Sequence, residues 1–304
     1  MLIDPVMLSE PLVRQPAAPK PSWLKVKMPG GVNYMGVKKL VNDQRLHTVC
    51  EEAHCPNIGD CWERRSATFM ILGDVCTRSC SFCAIKTGKP TELDWDEPRR
   101  VAESIQSLNL RHAVITSVNR DEIEDGGAGI FAETIRETRG LSPATSIEVL
   151  IPDFKGCRKS LAIVMDARPD ILNHNIETVE RLQHEMRPQA RYERSLGVLR
   201  MAKELNPGSL TKSGIMLGVG EEPEEVHVTI RDLRDAGCSI LTIGQYLRPS
   251  PEHHPMVRYA PPEEFAALRE FALSLGFRHV ESGPLVRSSY HADDQVDRAR
   301  LAPA

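Results

Sequence analysis

Ala67-Thr-Phe-Met-Ile-Leu-Gly-Asp-Val-Cys76-Thr-Arg-Ser-Cys80-Ser-Phe-Cys83 is the stretch from which the rest of the chain can be read. Its first part is a short apolar run of the kind that forms a buried strand. Its second part spaces three cysteines as Cys-x3-Cys-x2-Cys where the chain leaves that strand. Apolar runs of the same type recur at 112–118, 146–151, 171–176, 213–219 and 240–246, after the first at 67–75. Amphipathic stretches lie between them at 98–108, 129–139, 159–166, 178–186, 192–205 and 223–236, and one at 261–275 closes the series. Six strand-then-helix units predict an α/β fold with a parallel sheet, a partial (β/α)6 barrel of the TIM type, with an open doubly wound sheet as the alternative. In either fold, chemistry is expected at the carboxyl ends of the strands, where the cysteine loop falls.

Upstream and downstream of the barrel the pattern changes. Residues 1–40 read as an irregular arm with prolines at 5, 11, 16, 19, 21 and 29, and residues 41–65 as a cysteine-bearing extension too short to bury a core without a metal and contact with the main body. The barrel is expected over 66–278 and a C-terminal segment over 279–304. The chain has 304 residues, 41% apolar and 26% charged, and 38 Lys+Arg against 42 Asp+Glu give a formal net charge of −4. This offers no reason to expect nucleic acid or anionic lipid as a partner. The absence of a run of ~18 apolar residues argues against a membrane span, and residues 1–20 show no targeting pattern, so a cytoplasmic monomer is expected.

Six of the eight cysteines, Cys50, Cys55, Cys61, Cys76, Cys80 and Cys83, fall in one window, while Cys157 and Cys238 stand apart and read as small buried thiols. In a long chain able to form its own core, such a window points to metal or cluster binding rather than disulfides. Three thiolates on one loop can hold three irons of a cubane cluster and leave the fourth open to a small molecule. Zinc, completed by His112 or another distant residue, is the competing reading of the second triplet, and His47 and His54 keep a Cys/His zinc knuckle open for the first.

The Cys76-Cys80-Cys83 loop, with Phe82 before its last cysteine, resembles the signature of the radical S-adenosylmethionine (SAM) superfamily. The resemblance implies a [4Fe-4S] cluster whose unique iron is chelated by SAM, and electron transfer that cleaves SAM to methionine and a 5'-deoxyadenosyl radical. With Cys50-x4-Cys55-x5-Cys61 ahead of it, the whole resembles the lipoyl synthase family. Similar to that family are also residues 20–27, Arg120-Asp-Glu-Ile-Glu-Asp-Gly-Gly-Ala128, Asn173-His-Asn-Ile-Glu-Thr178, Lys212-Ser-Gly-Ile-Met-Leu-Gly-Val-Gly-Glu221, Gln245-Tyr-Leu-Arg-Pro-Ser250 and Gly283-Pro-Leu-Val-Arg-Ser-Ser-Tyr-His291. Asn119 departs from it, where an acidic residue is expected.

That resemblance implies insertion of two sulfur atoms, at C6 and C8 of an octanoyl chain carried on a lysine of a lipoyl-domain or glycine-cleavage H protein, with two SAM molecules per product. It further implies a second, auxiliary [4Fe-4S] cluster on Cys50, Cys55 and Cys61 that donates the sulfur, with Ser289, or in reserve Ser288, as its fourth ligand. A serine oxygen is a hard, weakly held ligand on iron and suits release as sulfide is extracted. A ferredoxin or flavodoxin donor and a cluster-assembly carrier are implied as partners.

Polar residues at strand ends are the candidates for holding SAM: Thr116, Ser117, Asn119, Glu148, Asn173, Asn175, Met216 and Glu221. Asp125-Gly126-Gly127 reads as a glycine-dependent turn whose amides can approach the methionyl part. Residues 248–255 suit a lid or docking loop, and Lys38, Lys39 and the basic stretch 187–194 a solvated face or a dock for an acidic partner. The competing functions are another radical SAM sulfur-inserting enzyme, such as a tRNA methylthiotransferase, disfavoured by the lack of a basic RNA-binding domain, and a zinc-stabilised interaction module.

Overall fold

The computed structural model describes residues 20–301, apart from Lys27, Arg45 and His54. The segment before residue 20 and the His54 imidazole therefore lie outside the described residues. In chain order the elements are α1 (Val32–Asp43), β1 (His47–Thr48), α2 (Val49–Glu52), α3 (Ile58–Glu63), β2 (Ala67–Ile71), β3 (Val75–Cys76), β4 (Lys86–Thr87), α4 (Glu97–Ser107), β5 (His112–Ser117), α5 (Ala128–Leu141) and β6 (Ser146–Leu150). There follow α6 (Arg158–Asp166), β7 (Ile171–Asn173), α7 (Gln183–Met186), α8 (Tyr192–Leu205), β8 (Leu210–Leu217), α9 (Pro223–Asp235), β9 (Ile240–Gln245), α10 (Pro262–Ser274), β10 (His279–Gly283) and α11 (Ala292–Leu301).

Eight strands form one sheet in the order β1-β2-β5-β6-β7-β8-β9-β10. Every pair from β2 to β10 is parallel, and β1 adds antiparallel to β2, with His47 opposite Met70. Strands such as β2 and β9 are buried throughout, as parallel strands covered on both faces must be, which is why they read as continuous apolar runs. Helix starts follow local chemistry: Pro98, Pro223 and Pro262 occupy first-turn positions, and Glu222 and Glu225 form a reciprocal capping box on α9.

The sheet is curled. Helix α11 touches both β5 and β10, five strands apart in the sheet order. A flat sheet would separate them by ~24 Å, whereas a ten-residue helix spans only ~15 Å. Ala299 of α11 packs on Ile171, Leu210 and Ile240 at the starts of β7, β8 and β9, so α11 covers the amino-terminal end of the barrel. The opposite end, where the strands finish, carries the Cys76–Cys83 loop that follows β2.

All six strand–helix units are present, and the barrel gains a seventh parallel strand, β10. Its His279, Glu281 and Ser282 hide it in the sequence, and the half-buried pattern from Glu281 on explains why polar residues are tolerated there. Two further stretches differ from expectation. Residues 32–43 form α1 instead of irregular chain, with Val37 and Val41 buried in the same core as Trp62 of α3 and Phe69 of β2. The helix expected over 178–186 breaks into a 3-10 turn at Glu180–Leu182 and the single turn α7. Among the described residues no helix is long and apolar enough to cross a membrane.

Candidate functional site

Strand β2 ends in a turn at Leu72 (φ 70°) and Gly73 (φ 87°), fixed by the buried Glu97 carboxylate, which accepts the Leu72 N–H at 2.7 Å. The chain then forms β3, and the two-residue parallel ladder of β3 with β4 closes the loop that carries Cys76, Cys80 and Cys83. The loop is stitched to the end of β5. Thr77 N–H bonds the Asn119 carbonyl at 3.0 Å, Asp121 N–H bonds Thr77 Oγ1 at 3.1 Å, and Asn119 N–H faces Cys76 Sγ at 3.3 Å.

Arg78, inside the triplet, is buried. Its guanidinium bonds both oxygens of Asp121, at 2.7 and 2.9 Å, and Asp153 Oδ1 at 2.6 Å. Burial alone would push the Asp153 carboxyl up, but Arg78 outweighs it and holds that carboxyl below the usual carboxylate range. Arg194 bonds the other oxygen of Asp153 at 3.1 Å, and Arg187 is buried with its guanidinium on the Asn175 carbonyl at 3.1 Å. Much of the basic charge of 187–194 therefore points inward rather than forming a docking face.

Burial pushes the Cys80 thiol up and the Cys83 thiol up to about 12, and the neighbouring thiols add to both shifts, so the three sulfurs are mutual neighbours. Thiols in that state keep their protons at neutral pH unless a cationic group displaces them, which is the condition an iron cluster meets. Glu177 faces the same thiols; burial pushes its carboxyl up, against the nearby Arg187, and it sits at φ 69°. Its place beside the cluster loop depends on that left-handed backbone, which no residue pattern announces. The 248–255 loop lies over the triplet: His254 N–H bonds the Ser81 carbonyl at 2.8 Å and His253 Nε2 is 3.1 Å from the Cys83 carbonyl.

The other triplet comes together on two short helices. Cys50 is on α2, Cys61 on α3, and Cys55 lies between them. They line one cavity with Asn57 at the start of α3, Ser66 and Thr68 at β2, and Arg287, Ser289 and Tyr290 from the chain after β10. This cavity occupies the seam between the first and last parallel strands of the barrel. Ser289, not Ser288, lines it. Burial pushes Cys50 up to about 12 and raises Cys55 and Cys61 as well. The buried indole N–H of Trp62, otherwise without a partner, is turned to the Cys50 sulfur.

These features fit a polynuclear cluster held by one thiolate per iron. Among the described residues no three His, Cys, Asp or Glu side chains converge on a single metal-ion position, as a zinc site requires. His112 is spent elsewhere, on Ser146 Oγ at 2.5 Å and Glu148 at 3.5 Å, and His47 faces Glu52 at 3.5 Å.

The strand-end residues fall into two groups. Ser117 Oγ, Asn173 Oδ1 and Asn175 Oδ1 are buried polar atoms without a protein partner, as groups kept for a ligand are. Thr116 Oγ1 instead donates to the Leu150 carbonyl at 2.9 Å, and Met216 is half-buried on β8. Glu221 accepts the Gly218 and Val219 N–H groups at 2.8 and 2.9 Å and pairs with Arg258, so it shapes the loop after β8. Glu148 is fully buried inside the barrel with Lys212 Nζ at 2.9 Å and Asn173 Nδ2 at 2.8 Å. Burial opposes its ionisation, but Lys212 and His112 prevail and hold its carboxyl down at about 2. Gly126 and Gly127 both take positive φ, and a Cβ on Gly127 would stand 2.3 Å from Leu72 Cδ1, so the turn requires glycine. Cys238 is buried as expected, whereas Cys157 is exposed, standing at the N-cap position of α6 without a side-chain capping bond.

Residues 70–233 match the family model described as the radical SAM superfamily, and residues 10–55 that described as the N-terminal domain of lipoyl synthase of the same family. The lipoyl synthase of Rubrobacter xylanophilus is 61% identical over 281 residues, covering 92% of this chain and 88% of the relative. That of Koribacter versatilis is 55% identical over 296 residues and 97% of each chain. Among solved structures, methylornithine synthase (PylB) superposes with a TM-score of 0.54 at 14% identity over 89% of this chain and 90% of that one. Streptococcus suis SuiB bound to precursor peptide SuiA does so with a TM-score of 0.56 at 9% identity over 75% and 52%. The structural likenesses carry the fold, and the sequence identity over nearly the full length carries more: this chain belongs to the lipoyl synthase family of the radical SAM superfamily.

Proposed function

We propose that this chain inserts sulfur at C6 and C8 of an octanoyl group held in amide linkage on a lysine of a lipoyl-domain or H protein, with Cys76, Cys80 and Cys83 holding the SAM-binding cluster and Cys50, Cys55, Cys61 and Ser289 holding the sulfur-donating one. The observation that carries this reading is the cavity in which three cysteines of the extension meet Ser289 from the far end of the chain. Membership of the radical SAM superfamily brings a [4Fe-4S] cluster and SAM.

Unactivated C–H bonds offer neither an acidic proton nor an electrophilic carbon, so acid–base groups of the chain cannot activate them. When bound, the two clusters with SAM supply hydrogen-atom abstraction and sulfur. What the chain contributes is position. Arg78, Asp121 and Asp153 fix the Cys76–Cys83 loop against the ends of β5 and β6. Ser117, Asn173 and Asn175 present unpaired polar atoms for SAM, and the turn at Gly126–Gly127 lets backbone approach closely. A cytoplasmic monomer receiving electrons from a ferredoxin or flavodoxin, with its auxiliary cluster renewed by an assembly carrier, completes the proposal.

The test is anaerobic reconstitution, with iron and sulfide counted, then incubation with SAM, a reductant and an octanoyl-lysine peptide. About eight iron and eight sulfide per chain and a product gaining two sulfurs are expected. Iron for one cluster only, or 5'-deoxyadenosine without sulfur gain, overturns the sulfur-donor assignment.

A further inference from the structure

One polar group lining the Cys50–Cys55–Cys61 cavity is bonded out of place. Asn57 stands at the N-cap of α3, where an asparagine side chain ordinarily accepts from its own helix's first amides, yet it makes no capping bond. Its Nδ2 donates instead to the Leu285 carbonyl at 2.7 Å, across 228 positions of sequence. Asn57 is only 5% exposed, so water does not readily replace that bond, and its own backbone N–H faces the Cys55 sulfur. A single residue thus touches the cysteine triplet and the segment that leads into Ser289.

The same segment is gripped at the next residue as well. Gly244 of β9 lies against it so closely that a Cβ there would stand 2.2 Å from the Val286 carbonyl oxygen, a separation no real contact reaches. The Val286 side chain is buried, and Arg287 Nη1 closes on the Val286 carbonyl at 2.7 Å. Past this point Tyr290 N–H meets the Arg287 carbonyl at 2.9 Å, Gln295 Nε2 donates to the Tyr290 carbonyl at 2.7 Å, and the His291 ring lies 3.7 Å from Asp60 and 3.9 Å from Glu281. The far end of the segment is held by α11, which begins at Ala292, and by the Arg64–Asp294 pair at 3.0 Å.

We propose that Asn57 and Gly244 are positioning residues for the fourth ligand of the auxiliary cluster. They clamp Leu285–Val286 so that Ser289, within ~14 Å of chain from the clamp, would be held where it completes the coordination of the fourth iron. This rests on the reading that Ser289 completes a four-iron site with the three cysteines. Because α11 holds the other end of the bridge, loss of the clamp frees one side only, and the expected consequence is a labile iron rather than an unfolded tail.

The full-length Asn57→Ala and Gly244→Ala proteins, reconstituted anaerobically, are compared with wild type and Ser289→Ala by iron count and by electron paramagnetic resonance of the oxidised state. An oxidised four-iron cluster is diamagnetic, while one that has shed its non-thiolate iron is not. Relative to wild type, both clamp variants are expected to lose about one iron per chain and to show a three-iron signal above the background that the barrel cluster's open iron contributes in every protein, as Ser289→Ala does. Circular dichroism melting reads folding separately. If Gly244→Ala does not fold, Asn57→Ala decides alone. A full iron complement without a three-iron signal above that background in Asn57→Ala, while Ser289→Ala loses iron, overturns the clamp and leaves the cluster reading intact. A full complement in Ser289→Ala itself overturns both.

Discussion

Arg78 stands between the first two cysteines of the barrel triplet and anchors the loop through Asp121 and Asp153, residues 43 and 75 positions further on. Its planar fork meets two carboxylates at once, a geometry that the single ammonium of lysine does not reproduce. Arg78→Lys is therefore expected to weaken SAM binding at least ~10-fold, ~1.4 kcal/mol, and to lower the occupancy of the barrel cluster. Anaerobic calorimetric titration with SAM checks this, and an unchanged affinity at full iron content would show that the loop is held without the fork. At this scale the sequence displays the ligand types clearly. Cys-x3-Cys-x2-Cys is visible because its members are neighbours in the chain. The partners of Arg78 and the part played by Asn57 are invisible because their bonds cross dozens to hundreds of positions.

Helices α2 and α3 have four and six residues, too few to persist alone in water. Trp62 and the packing of α1 supply part of what orders them, and the cysteine cavity lies between them. Removal of iron by a chelator should therefore raise hydrogen exchange across residues 46–65 and 285–292 at least ~10-fold, while the amides of β5, β6 and β9 stay protected. Equal exchange in holo and apo protein would assign the order of the extension to packing alone. Most elements were legible because their faces are uniformly buried or cleanly amphipathic. Helix α1 and strand β10 escaped: α1 exposes Val32 and Met35 while it buries Val37 and Val41, so its faces are not cleanly divided, and β10 carries His279, Glu281 and Ser282 among its five residues.

Across the whole barrel, Glu148 of β6 joins Lys212 of β8, Asn173 of β7 and His112 of β5, tying four strands together through one buried carboxylate. Lys212→Met leaves that charge buried without its main partner and is expected to cost about 3–5 kcal/mol in urea unfolding, where a loss below ~1 kcal/mol would show the network to be dispensable. The sign with pH follows from the lowered carboxyl: its contribution is present above the ordinary carboxylate value of 4.5 and is lost as pH falls towards about 2. Glu148→Gln should therefore flatten the acid limb of the stability profile, and an unchanged limb would assign acid unfolding to other carboxyls.

By itself the sequence determined the strand–helix alternation, the two cysteine triplets and the family, because periodicity, spacing and motif are properties of neighbours along a chain. Only the tertiary structure decided that the two triplets take separate places, one at the carboxyl end of β2 and one in the seam between β2 and β10, and that Ser289 rather than Ser288 faces the second. It also decided that Glu148 and Glu221 are bonded within the fold while Ser117, Asn173 and Asn175 keep unpaired atoms. Those outcomes depend on which distant groups burial forces together and on which polar atoms are left without a partner once the core has closed.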